Sequence, residues 1–184
     1  SYGINLNIMS IENLAVGNGA TVCIKGFPYG NTDSGEKQNG LPVINKSLEE
    51  LKQAEMIPYI NAITNEADMI MIGHMALPQV AGDNISITMS KEVISDLLRA
   101  ELGFNGVVIT DAMNINAITE YYGADEVAIK AFKAGADMVL MPENFETAYK
   151  GVIAAVEQGT ISEDRINDSL KRVFRIKYAD RVVE

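Results

Sequence analysis

Residues 106–114 read Gly-Val-Val-Ile-Thr-Asp-Ala-Met-Asn. Val107, Val108, Ile109 and Thr110 are all β-branched and uncharged. Such a run predicts a strand covered on both faces, as in a parallel sheet flanked by helices. The run stops at Asp111. In α/β barrels and open α/β sheets, the loops that follow the strands converge at that end, and chemistry gathers there. Three roles are open to Asp111: nucleophile, metal ligand, or N-cap of a helix through Ile115 and Ile118.

The same grammar repeats along the chain. Residues 3–9, 20–24, 68–74 and 136–141 read as further strands, and residues 11–16 as a helical turn or two. Residues 29–40 are rich in Gly, Asn, Asp and Ser and form a long loop, a length that points to function or mobility. Ser47 begins a helix with Glu49 and Glu50 in its first turn and an apolar stripe of Leu48, Leu51, Ala54 and Ile57. A short helix follows over residues 60–65, and residues 75–87 read as another loop. Ser90 caps a helix bearing Val93, Ile94, Leu97 and Leu98, closed by Gly103. Helices over residues 125–134 (closed by Gly135) and 147–158 complete the alternation. A last helix from Ser162 places Ile166, Leu170, Val173 and Lys177 on one face.

Strand, loop and helix in five repeats mean a parallel sheet with right-handed crossovers. Either an open sheet or part of an eight-stranded barrel satisfies that pattern. The polar residues closing four strands, Lys25, His74, Asp111 and Glu143, favour the barrel. The expected fold is α/β, a partial or pared-down (β/α)8 TIM-type barrel, with residues 1–184 as a single domain.

Composition narrows the function. A net charge of −10 argues against nucleic acid or an anionic membrane surface as partner. No apolar run approaches the ~20 residues that span a bilayer. The chain starts at Ser1 without the basic and apolar regions of a signal peptide, and without Met, so its natural N-terminus is expected to lie elsewhere. Cys23 is the only cysteine and His74 the only histidine, so neither an intrachain disulfide nor a zinc site of the usual type is expected. Cys23 reads as a small buried apolar residue, and Met69, Met71, Met138 and Met141 as core filling. No glycine loop cradles a phosphate, no cofactor is expected, and the compartment stays open.

Several segments in order resemble glycoside hydrolase family 3, in particular its bacterial β-N-acetylglucosaminidase branch. They are Lys25-Gly26-Phe27-Pro28-Tyr29-Gly30-Asn31-Thr32, Asp33-Ser34-Gly35 and Met71-Ile72-Gly73-His74. Leu97-Leu98-Arg99 with Gly103-Phe104, Val108-Ile109-Thr110-Asp111-Ala112-Met113 and Ala134-Gly135-Ala136-Asp137-Met138 continue the match. The resemblance implies a retaining glycosidase acting on a carbohydrate substrate, with Asp111 as nucleophile. It also implies that Asp33 supports an acid/base histidine on the loop, that Lys25 and His74 bind sugar hydroxyls, and that Met113 lines the substrate site. The chain departs from the family pattern at Gly26 and Gly35, where histidines are expected. One glycine is missing between Pro28 and Tyr29, and the first barrel strands have no counterpart. Three expectations follow: hydrolysis is weak or lost, the chain is the C-terminal portion of a barrel, and further segments or a second copy cover its edges. Glu36 is an alternative proton donor. Two other readings stay open, a catalytically silent sugar-binding or assembly relative, and a Schiff-base lyase centred on Lys25.

Overall fold

The computed structural model of the chain describes residues 6–9, 21–30, 37–38 and 40–178. The β-branched run forms strand β6 (Val107–Thr110), buried at all four positions. It lies at one side of a parallel sheet in the order β1 (Leu6–Met9), β2 (Thr21–Phe27), β5 (Met69–Ile72), β6. Leu6 pairs with Thr21, Cys23 with Met69, and Met69 with Val107. A second, two-stranded sheet pairs β3 (Lys37–Gln38), inside the stretch expected as loop, antiparallel with β4 (Leu41–Pro42) just after it.

Strand alternation sorts the side chains into two cores. Val22, Ile24, Ile70, Ile72 and Val108 face the helices and meet Leu51, Tyr59, Val93, Ile94, Leu97 and Leu98. Cys23, Met69, Met71, Val107 and Ile109 line the other face, packed against Met138, Leu140, Val173 and Ile176. Lys25 and Asp111 share the alternation of this second face. Cys23 is fully buried there, and burial pushes its thiol up to about 12, as expected of an inert core residue.

Local signals explain most helix boundaries. Ser47 and Glu50 form a capping box at α1 (Leu48–Gln53). Helix α2 (Ile57–Thr64) carries Pro58 in its first turn, where the missing N–H costs nothing. The expected loop after β5 contains a short helix, α3 (Pro78–Ala81), and runs into a 3-10 turn at Ile87–Met89. The Ser90 hydroxyl accepts from the Val93 N–H at the head of the π-helix Glu92–Glu101, and Gly103 beyond it has φ +71°. After β6 come α4 (Asn116–Thr119) and α5 (Ala124–Ala134), the latter closed by Gly135 at φ +119°. Asn144 caps α6 (Phe145–Glu157) and Ser162 caps α7 (Glu163–Lys177).

Three expectations need correction. Residues 136–141 lie beside β6 but form a single parallel bridge, Ile109 to Met138, rather than a regular strand. Side chains have taken the ladder's bonds: the Val108 N–H donates to Asp137 Oδ2 (2.9 Å) and the Leu140 N–H to Thr110 Oγ1 (3.1 Å). Second, of the face Ile166, Leu170, Val173 and Lys177 on α7, Val173 packs against the second core, whereas Leu170 and Lys177 are exposed. The fully buried residue of α7 is Ser169. Third, α6 begins two residues before the expected start, where the Asn144 side chain accepts from the Thr147 N–H. The residue 11–16 turn lies outside the described residues, as does most of the long loop.

Candidate active site

Lys25 sits where β2 is bent by a bulge. The register with β5 slips between Lys25 and Phe27, and Gly26 takes φ +90°, a conformation open to glycine. Below it, the buried Tyr59 hydroxyl donates to the Lys25 carbonyl (3.1 Å) and its ring meets Phe27 edge-on at 5.3 Å. The backbone of Lys25 is thus anchored while its side chain reaches the rim, 52% exposed.

Asp111 follows directly on β6, at its carboxyl end, and its N–H donates to the Ile72 carbonyl (3.0 Å). One carboxylate oxygen, Oδ1, accepts from the Ala112 N–H (2.8 Å). The other, Oδ2, lies 3.6 Å from Lys25 Nζ. An ion pair this exposed is worth ~0–1 kcal/mol, so its consequence is local: a cation stands beside an accessible carboxylate. The helix-cap reading is excluded, because α4 has Ile115 at its N-cap and no side-chain cap bond. A cation as neighbour also suits Asp111 poorly to a metal-ligand role. Lys25 offers no desolvated amine of the kind Schiff-base chemistry uses.

His74 stands beside this pair. Its Nε2 is 2.9 Å from the Ala112 carbonyl, and its Nδ1 is 3.1 Å from the Ser86 hydroxyl and 3.4 Å from that of Thr88. Burial holds its imidazole below the ordinary histidine range, against the opposing pull of the Ala112 bond and the Asp111 charge. Both ring nitrogens are therefore engaged by the protein, which leaves neither directed at a sugar hydroxyl. Met113 is buried in the helix-side core, and what it brings to the rim is its N–H, which donates to the Leu140 carbonyl (2.9 Å). Glu143 is exposed beyond the end of its segment. Asp33, Gly35 and Glu36 lie outside the described residues.

Ser86 and Thr88 escaped the sequence reading. Ser86 lies near the end of the expected loop and Thr88 just beyond it, yet they are 1% and 0% exposed. The legible signal is a hydroxyl pair two residues apart, 12 residues beyond the chain's one histidine.

The chain as a whole is similar to known proteins. A solved family 3 β-N-acetylglucosaminidase from Paenibacillus superposes with a TM-score of 0.81 at 37% identity, over 90% of this chain and 32% of that one. β-Hexosaminidase A of Pseudoalteromonas piscicida is 25% identical over 86% of this chain and 30% of its own length. A secreted glycosyl hydrolase of Arthroderma benhamiae is 30% identical over 94% and 52%. The chain thus spans 30% to 52% of the length of these three relatives. The fold is that of the family's TIM-type barrel domain, represented here by parallel strands and their outer helices. Residues 13–176 match the glycosyl hydrolase family 3 N terminal domain, and the chain belongs to that family.

Proposed function

We propose that this chain carries the nucleophile side of a retaining β-N-acetylhexosaminidase site, with Asp111 as the nucleophile. One observation supports this above the others: the carboxylate stands at the strand end with Oδ1 held by Ala112 and Oδ2 loosely paired with Lys25, 25% of the side chain being open. In the reaction, Oδ2 attacks the anomeric carbon and the glycosidic C–O bond breaks as the ester forms. The leaving oxygen takes up a proton, and water then hydrolyses the glycosyl ester. The Lys25 ammonium donates to a sugar hydroxyl. The substrate class comes from the names of the relatives, β-hexosaminidase and β-N-acetylglucosaminidase.

The loop supplies Asp33 without the histidine it would support, since Gly35 occupies that place. General acid/base help is worth about 10²–10⁴ in rate, so the chain hydrolyses activated aryl glycosides and leaves poor leaving groups almost untouched. Gly35→His raises turnover of the poor leaving group far more than that of p-nitrophenyl N-acetyl-β-glucosaminide. Equal gains on both substrates would transfer the proton-donor role to another residue, Glu36 first. The same reading takes residues 1–184 as the C-terminal portion of a family barrel. The exposed Met141, Phe145, Tyr149 and Ile153 support cover by further segments or a second copy. Sedimentation at micromolar concentration tests it: a stable monomer of this chain alone would refute the second-copy arm.

A further inference from the structure

The turn that carries Asp111 is pinned at every backbone group the structure gives for it. The Asp111 N–H goes to Ile72, the Ala112 N–H to Asp111 Oδ1, and the Met113 N–H to Leu140. His74 Nε2 donates to the Ala112 carbonyl (2.9 Å), and the Asp111 backbone also meets the imidazole. The peptide joining Ala112 to Met113 is therefore held on both sides, its carbonyl by the end of β5 and its N–H by the segment beyond Met138. We propose that His74 is a positioning residue, a neutral Nε2–H imidazole that fixes the Ala112 carbonyl and through it the aim of the Asp111 carboxylate. The proposal rests on Asp111 being the nucleophile.

The tautomer follows from the partners. A carbonyl only accepts, so Nε2 carries the proton toward Ala112. In a neutral ring Nδ1 is then an acceptor, and the Ser86 hydroxyl donates to it at 3.1 Å. The Ser86 oxygen, 2.8 Å from Thr88 Oγ1, accepts in turn from the Thr88 hydroxyl. Both hydroxyls are buried, so water does not compete for them. Neutrality matters at this place. An imidazolium beside Asp111 would draw the carboxylate toward itself and compete with the anomeric carbon for it. Two hydroxyls and a carbonyl supply the positioning without a second charge.

Because His74 is the only histidine, its ring nitrogens are the only imidazole signals in a uniformly ¹⁵N-labelled sample. A long-range ¹H–¹⁵N correlation spectrum at neutral pH is expected to show the Nε2–H tautomer; an Nδ1–H or evenly mixed ring would overturn the proposal. The second arm follows covalent labelling of Asp111 by a 2-fluoro glycoside with an activated leaving group, read by intact mass. His74→Ala is expected to slow labelling about 10²-fold, the scale of a misplaced reacting group. His74→Gln, whose amide N–H reaches the same carbonyl, is expected to restore most of that loss. Labelling at the unmodified rate in both variants would overturn the proposal. If the unmodified chain takes no label at all, the nucleophile assignment fails, and the tautomer alone decides whether the clamp exists.

Discussion

Two aspartates border the same strand and live opposite lives. Asp137 lies beside Val108, and its side chain has no exposure. Its Oδ1 accepts from the Ser169 hydroxyl (2.7 Å), Arg172 (3.1 Å) and Arg165 (3.4 Å). Its Oδ2 accepts from the Val108 N–H (2.9 Å) and from Arg99. About 10 Å further up the strand, Asp111 has one internal donor, a half-exposed lysine at 3.6 Å, and 25% of its side chain open. Every lone pair of Asp137 is consumed in tying α7 and the π-helix to the sheet. Among the described residues, Asp111 Oδ2 has only the loose ion pair with Lys25. The same functional group thus serves as a rivet where donors saturate it and as a reagent where they do not.

Separating these two roles gives the largest effects. Asp111→Asn is expected to lower glycoside turnover and 2-fluoro glycoside labelling at least about 10³-fold, since the covalent step is lost. Its urea midpoint should stay within the ~1 kcal/mol of an exposed pair. Undiminished labelling would remove Asp111 from the mechanism. Asp137→Ala is expected to do the reverse. It leaves three guanidiniums facing one another; burial already pulls Arg99 down to about 10 and lowers Arg165, with Asp137 opposing both. Stripping one partner from such a cluster costs about 3–5 kcal/mol, readable in urea unfolding. A loss below 1 kcal/mol would mean that the cluster contributes little to the fold.

The contrast also shows which parts of the molecule its sequence exposes. Short-range features were legible: the β-branched run of β6, the hydroxyl caps at Ser47, Ser90 and Ser162, and the glycines at 103 and 135. Each depends on residues within a few positions of one another. The Asp137 cluster joins residues 28 to 38 positions apart in sequence, and it reshapes two elements. It diverts the Val108 N–H from the ladder, so residues 136–141 do not become a regular strand. It also turns α7 so that Arg165, Ser169 and Arg172, spaced at helical intervals, face inward beside Val173 and Ile176, while Leu170 is left exposed. A polar stripe at that spacing is the clue that hydrophobic periodicity overlooks. At the rim, the placement of Lys25 and Asp111 followed from strand ends, whereas the clamp around His74 depends on hydroxyls from a distant turn.

A smaller effect tests how rigid the rim backbone is. The family pattern has histidine where Gly26 stands, yet here that residue has φ +90° and a Cβ would lie 3.3 Å from the Gly30 Cα and 3.4 Å from the Tyr59 hydroxyl. Gly26→His is expected to cost about 1–3 kcal/mol from the left-handed backbone alone. Gly26→Ala separates that cost from the bulk of the imidazole. Unchanged stability in both variants would show that the bulge relaxes freely.

The mildest effect concerns proton binding at the rim. His74 is held below its ordinary range in the folded state by burial, with the Ala112 bond, the Asp111 charge and Lys25 as the groups that face it. Between its folded value and the ordinary 6.5, the unfolded chain binds more protons than the folded one. Stability therefore rises with pH across that window. The benefit of a neutral ring is fully present above 6.5 and is lost as pH falls through the folded value. The carboxylates are common to the native chain and to its variant. The difference in unfolding free energy between the native chain and His74→Gln should therefore change across this window and flatten on either side of it. A difference that stays constant from pH 4 to pH 8 would show a histidine as freely protonated as in the unfolded chain, and with it the claim of a neutral clamp beside Asp111 would fall.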